Sequence, residues 1–291
     1  MGKAVLENVL YAVCRHITSG ITVLSLKSIV STRLPKSVRE MIWCLTDSEY
    51  RGKLRSIREL RRRQVSAAKQ IAAQTGGIVS SGPFAGMAYP TDGRFPQKLL
   101  GTYELELHSI LDEISNNNYE RVIDIGAAEG FYVCGCARMF PAAIIIAFEA
   151  NGDLHSTIRE LSELNGVAEK VKIRGLCEHT DLARAIEVLG RTLIVCDVEG
   201  AENELLDPNG IPRIKQADLI VEVHDHLCDG TSQRLRERFS PTHSIKQISS
   251  MPRLLGDFPT SVSLPTNLIA AAMDESRHPG SQWFWMTAKN R

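Results

Sequence analysis

Arg121-Val122-Ile123-Asp124-Ile125-Gly126-Ala127-Ala128-Glu129-Gly130-Phe131 is the stretch on which the fold turns. It opens as a short apolar and β-branched run around one acid, the pattern of a buried strand. Gly126 and Gly130 follow where the chain must turn into a helix, and a residue without a Cβ permits the bend. A side chain at Gly126 is expected to obstruct close backbone approach to a ligand. The third glycine of a dinucleotide fingerprint is missing, so no pyrophosphate cradle is required. That spacing favours a nucleoside ligand and disfavours a nicotinamide-dependent oxidoreductase.

Outward from this turn, strand-like runs over 144–149, 171–176, 192–197 and 219–224 alternate with helical patterns, and weaker runs at 244–248 and 283–287 complete a set of seven. Such alternation predicts right-handed βαβ crossovers and a Rossmann-like α/β fold, with a mostly parallel sheet flanked by helices. In open sheets of this kind ligands gather beyond the carboxyl ends of the strands. The strand ends therefore carry the candidate site.

The second strand ends in Phe148-Glu149-Ala150-Asn151. An acid at that tip can accept hydrogen bonds from both ribose hydroxyls of an adenosine, while Phe148 or Ala150 shapes the adjoining pocket. Asp124 lies deeper and is read as orienting the glycine loop or meeting an amino group; backbone capping is its alternative. Cys177 follows the third strand where an adenine ring would lie, and reads equally as a small core residue.

The fourth strand emerges into Asp197-Val198-Glu199-Gly200-Ala201-Glu202. Asp197 is placed to face a reacting group; Glu199 or Glu202 suits the positive N-terminal end of the next helix. The fifth strand ends Glu222-Val223-His224-Asp225-His226, and the alternation puts Glu222 and His224 on one side of the strand. His224 is the leading general-base candidate, because an ordinary imidazole titrates near neutral pH. Asp197 and Glu222 complete the catalytic expectation, and His226 reads as a loop residue. Asp197, Glu222, His224 and also Asp225 could instead ligate a divalent metal that lowers a substrate hydroxyl's pKa. Carboxylates and histidines at strand ends more often form hydrogen-bonded networks, so metal is the less favoured reading.

The 291 residues are 43% hydrophobic and 23% charged, values of a globular chain. Zero net charge conceals a polarised molecule: residues 1–75 hold 14 Lys and Arg against 5 Asp and Glu. Val5, Leu6, Val9, Leu10 and Val13, and later Leu54, Ile57 and Leu60, are spaced for helices. We therefore expect a basic helical extension over 1–75 and a linker or lid over 76–97, beginning at Gly76-Gly77. The Rossmann-like domain follows over 98–291 and opens with a helix at 98–114. Arg61-Arg62-Arg63 reads as a solvated face or a contact for an anionic surface. No aromatics interleave with it, so nucleic acid is not favoured. The extension could also join two copies as a homodimer. Seven cysteines without a Cys-x-x-Cys pair argue against a disulfide framework and for a cytoplasmic setting. No apolar run approaches the ~20 residues of a membrane span, and no signal peptide is evident.

Together, Asp124-Ile-Gly-Ala-Ala-Glu-Gly-Phe, Phe148-Glu-Ala-Asn and Cys196-Asp-Val-Glu-Gly-Ala-Glu resemble the FkbM-like family of class I S-adenosylmethionine-dependent methyltransferases. The resemblance covers roughly residues 120–229. It implies a class I methyltransferase fold, S-adenosyl-L-methionine as cofactor, and O-methylation of a sugar, glycan or related small metabolite. Contacts to the cofactor are implied at Asp124, Gly126, Gly130 and Glu149, with Asp197 near the transferred methyl. Ala127, Phe131, Ala150 and Cys177 flank these and complete the expected cofactor set. A catalytically silent S-adenosylmethionine-binding module acting through its basic N-terminal helices is the alternative.

Overall fold

Strands β1 (Arg121–Ile125), β2 (Ile144–Phe148), β3 (Val171–Arg174), β4 (Thr192–Cys196) and β5 (Asp218–Val223) pair in parallel in a computed structural model, which describes residues 48–90, 95–187 and 190–290. The apolar spacing at Val5, Leu6, Val9, Leu10 and Val13 lies outside the described residues. Strands β6 (His243–Ser249) and β7 (Gln282–Ala288) close one side, with β7 antiparallel to both β5 and β6. The order is β3-β2-β1-β4-β5-β7-β6, a seven-stranded, mostly parallel sheet flanked by helices, the Rossmann-like architecture expected from the sequence. The order reverses between β1 and β4, and ligand crevices form at such switch points.

Every residue of β1, β4 and β5 is buried, as expected of parallel strands covered on both faces. Alternation along the strands divides their side chains between two cores. Val122, Ala147, Val195 and Trp283 enter one, and Ile123, Phe148, Ile194 and Phe284 the other. In register, Ile125 lies beside both Phe148 and Cys196. The next residues along the chain, Gly126, Glu149 and Asp197, therefore emerge side by side.

Helix α1 runs Ser48–Thr75, and its Arg61, Arg62 and Arg63 are exposed. The chain divides into two units, Met1–Leu60 and Arg61–Arg291. In the second, the segment after α1 sends Val79, Phe84, Met87 and Tyr89 into the core. The helix expected over 98–114 is instead α2 (Pro96–Leu100), a 3-10 turn at Leu105–Leu107, and α3 (His108–Ile114). The cause is a distant segment: Ser80 N–H donates to Leu99 O, and Ser81 Oγ to Leu100 O, taking carbonyls that a continuing helix would use. Gly101 then turns left-handed at φ 75°, where a Cβ would lie 1.9 Å from Ser81 O.

Between and after the parallel strands come α4 (Phe131–Met139), α5 (His155–Leu164), α6 (His179–Ile186), the single turn α7 (Glu202–Leu205), α8 (Thr231–Phe239) and α9 (Thr266–Met273). No helix among the described residues is long and apolar enough to cross a membrane.

Candidate functional site

The bend after β1 is locked by hydrogen bonds to its neighbours. Gly126 N–H and Ala127 N–H both donate to Phe148 O, and Asp197 N–H donates to Ile125 O. Gly126 has φ 88°, and a Cβ there would stand 1.8 Å from Asp197 O. The glycine is thus demanded by the chain's own β4 end, where the sequence alone suggested room for a ligand.

Glu149 crosses the same bend from β2. Its Oε2 accepts from Ala128 N–H at 2.8 Å and its Oε1 from Asn151 N–H at 2.7 Å. A carboxylate has about four acceptor positions, so two remain for other donors. A cleft of about 650 Å³ opens beside it, lined by Gly126, Ala128, Phe148, Glu149, Ala150, Cys177, Glu178, Asp197 and Glu199 among others. Burial pushes the Cys177 thiol up to about 12, so it meets the cleft as a neutral group.

Four residues of the expected cofactor set stand behind this lining. Gly130, at φ 95°, caps α4, and Ala127 is buried in the core. Phe131 packs edge-on against Phe84, Tyr89 and Tyr103. Asp124 is 4% exposed, and its Oδ2 has no hydrogen-bond partner. Burial, followed by the negative charge of Asp197, pushes its carboxyl up to about 8.

A second cleft, of about 260 Å³, meets the first at Asp197 and Glu199, which line both. Glu222, His224, His226, Arg277 and His278 form much of its wall. His224 Nδ1 lies 2.6 Å from Glu202 Oε1, while Nε2 faces Asp197 Oδ1 at 3.6 Å and Glu199 Oε2 at 3.5 Å. Burial alone would lower the His224 pKa, but the hydrogen bond and charge of Glu202, then Glu222 and Asp197, push it up to about 9. Burial also raises Asp197, against the pull of His224. His226 stacks on His278, ring centroids 4.2 Å apart.

Glu222 shares the wall with His224 but is tethered elsewhere: Arg277 Nη1 donates to its Oε1 at 2.8 Å. Arg277 also bonds Glu104 and Glu275, tying α9's end to the start of the domain. Burial and the charge of Asp197 raise the Glu222 carboxyl to about 8 even so. The metal set expected from sequence is accordingly redistributed. Among the described residues, Asp197, Glu199 and His224 converge as a group that could hold a metal ion, with Glu199 in the place given to Glu222.

The acids on the Asp197 loop also have roles other than helix capping. Glu202 is fully buried, and its Oε1 accepts from Gly200 N–H as well as facing His224. Sequence reading missed Arg277, Glu104 and Tyr103 in this region. Tyr103 and Glu104 stand among apolar residues, a weak local signal, whereas Arg277 lies in the polar run Asp274-Glu-Ser-Arg-His and carried none.

No family model matches the chain, and no curated protein matches it. Among solved structures, it is similar to an O-methyltransferase from Bacillus cereus in complex with SAH, at 13% identity over 77% of this chain and 90% of that one, TM-score 0.40. It is similar also to the O-methyltransferase TomG from Streptomyces achromogenes in complex with SAM, at 14% identity over 77% and 89%, TM-score 0.39. A third likeness is to an rRNA methylase from Streptococcus thermophilus, at 11% identity over 64% and 97%, TM-score 0.44.

Proposed function

We propose that this protein is an S-adenosylmethionine-dependent methyltransferase acting on a hydroxyl of a sugar, glycan or other small metabolite. One observation carries the reading: Asp197 lines both clefts, so a donor in one and an acceptor in the other would meet at its carboxylate. The larger cleft has the volume of a small-molecule site.

The residues present fit the cofactor. Glu149, anchored by two backbone N–H groups, has lone pairs left for ribose hydroxyls. Asp124, buried behind the lining with its Oδ2 unpartnered, would serve the cofactor by orienting the glycine loop. Ala150 and Cys177 line the cleft on the side of the third strand, where adenine would lie. Gly126, Ala127, Gly130 and Phe131 shape and support the loop. S-adenosylmethionine, when bound, supplies an electrophilic methyl on a sulfonium.

The acceptor belongs in the smaller cleft, whose polar wall suits a hydroxylated molecule, in keeping with the FkbM-like resemblance. Asp197 and His224 flank the position of the acceptor oxygen. The imidazole, raised to about 9, is charged near neutral pH and favours the developing oxyanion instead of acting as the general base expected from sequence. Asp197 takes the proton, and Glu222, fixed by Arg277, orients that wall. Much of the acceleration in such a site comes from holding the reacting atoms in line.

Calorimetric titration with S-adenosylmethionine and S-adenosylhomocysteine tests the cofactor, and hydroxylated sugars screened for mass gain of one methyl test the acceptor. Binding of both cofactor forms and methylation abolished by Asp197→Ala are expected. Binding of NAD without S-adenosylhomocysteine would overturn the reading. Cofactor binding with no turnover on any acceptor would leave the silent binding module in its place.

A further inference from the structure

We infer that Asp197, Glu199 and His224 form a binding site for a divalent first-row transition ion at the junction of the two clefts. Their ligand atoms, Asp197 Oδ1, Glu199 Oε2 and His224 Nε2, belong to a group lying within 4.8 Å of one another. The two nitrogen-to-oxygen separations are 3.6 and 3.5 Å. Those distances are too long for good N–H···O hydrogen bonds, which cluster near ~2.9 Å. They are close to the spacing of neighbouring ligands about one small cation, because bonds of ~2.1 Å set tetrahedral or octahedral neighbours roughly 3.0–3.4 Å apart.

Three further features prepare the site. The His224 side chain is 5% exposed, and no hydrogen bond is made by its Nε2. On the far side of the ring, Nδ1 faces Glu202 Oε1 at 2.6 Å, and that carboxylate is fully buried and held by Gly200 N–H. The ring carries a proton on both nitrogens until an ion binds. An ion displaces the one on Nε2, while the carboxylate behind Nδ1 keeps the other and fixes the ring's orientation, as is usual for histidine ligands. Asp197 Oδ1 is buried and has no hydrogen-bond partner.

Glu199 is held with φ 51°, a left-handed backbone unusual for a residue with a side chain. Its carboxylate is 75% exposed and reaches back to the buried histidine. Strain of this kind concentrates at functional positions. Glu222 cannot serve as readily, since Arg277 occupies its Oε1.

One imidazole and two carboxylates suit Mn²⁺, Fe²⁺ or Zn²⁺ better than Ca²⁺, which takes six to eight oxygens. Three protein ligands leave positions open toward the smaller cleft. The ion's role there rests on the methyltransferase reading: its charge would lower the pKa of an acceptor hydroxyl bound beside it.

The test uses Mn²⁺ alone, titrated into full-length chelator-stripped protein and followed by electron paramagnetic resonance. One ion per chain is expected, with nitrogen coupling from a single imidazole that disappears in His224→Gln. Glu199→Gln, at an exposed side chain, leaves the unfolding midpoint unchanged and weakens binding about tenfold or more. Glu202→Gln, which touches no ion, weakens it about 10–100-fold. Failure to bind at millimolar Mn²⁺, or affinity unchanged in both glutamate variants, overturns the site. Calorimetry with S-adenosylhomocysteine on the same sample separates the two ideas. Mn²⁺ without nucleoside binding sustains the metal site and removes the methyltransferase reading; nucleoside without Mn²⁺ binding does the opposite.

Discussion

Gly126 and Asp197 touch backbone to backbone: a Cβ on the glycine would stand 1.8 Å from the aspartate's carbonyl oxygen. The contact joins the ends of β1 and β4, the strands between which the sheet order reverses. It thereby fixes the floor of the larger cleft and the position of the acid shared by both.

Gly126→Ala should break this junction. The left-handed conformation alone costs an L residue about 1–2 kcal/mol, and the overlap with Asp197 O forces one strand end to move. We expect a loss of about 3 kcal/mol or more in urea unfolding, together with loss of S-adenosylhomocysteine binding by calorimetry. Gly152→Ala, where a Cβ meets nothing within 4 Å, should match the parent. Parent-like stability in Gly126→Ala would show that the strand ends are not so closely joined.

Glu149→Gln tests the carboxylate that spans the bend. Both oxygens accept backbone N–H groups, from Ala128 and Asn151. A glutamine can offer only one oxygen, so its amide nitrogen must confront one of these donors. An unsatisfied donor costs about 1–3 kcal/mol. The variant should remain folded, unfold at lower urea, and bind S-adenosylhomocysteine at least about tenfold more weakly. Unchanged affinity would remove Glu149 from the nucleoside site.

Much of this geometry was legible because it is local. Gly126, Glu149 and Asp197 each follow a short apolar run, and in-register parallel pairing brings three such run ends together. Period-two alternation likewise carried Glu222 and His224 to one wall. What escaped is contact between distant segments. Arg277 bonds Glu104 across 173 positions, and no periodicity reports such a pairing. The break in the helix expected at 98–114 has the same origin, since Ser80 and Ser81 compete for its carbonyls. Glu199 was legible as an acid beside Asp197, but its left-handed backbone, which turns it toward His224, is a property of the folded loop.

Asp124 should trade stability against binding as pH changes. Burial raises its carboxyl to about 8 in the folded protein, against about 3.9 when unfolded. The folded state therefore retains a proton that the unfolded state releases. Its contribution is full below about pH 4 and is lost progressively as pH rises toward 8. Asp124→Asn has no proton to lose. We expect its thermal midpoint to gain on the parent between pH 4 and 8, by about 5 °C or more at the upper end, while S-adenosylhomocysteine affinity falls at pH 7. A midpoint difference independent of pH would refute the raised carboxyl.

Arg277 holds Glu104, Glu222 and Glu275 together in a largely buried cluster, with its guanidinium over the Trp283 ring. Burial works against its charge, but the surrounding carboxylates, Glu104 foremost, keep it firmly protonated. Arg277→Met would leave Glu104 and Glu222 without their cation, while Glu275 keeps Arg253, and removing one partner of a buried ion pair costs about 3–5 kcal/mol. Arg277→Lys should recover only part of this, because one ammonium cannot reach three carboxylates in the planar fork that a guanidinium provides. Glu222→Gln alone should cost less, since its carboxyl is already raised to about 8 and shares the cation with two others. In Arg277→Met the Glu222 carboxyl has lost the group that favoured its ionised form, so replacing it as well should cost little further, and the double variant should be more stable than the sum of the single losses by about 1–3 kcal/mol. Urea unfolding of the four proteins measures that coupling, and strict additivity would mean that Arg277 and Glu222 do not act on each other.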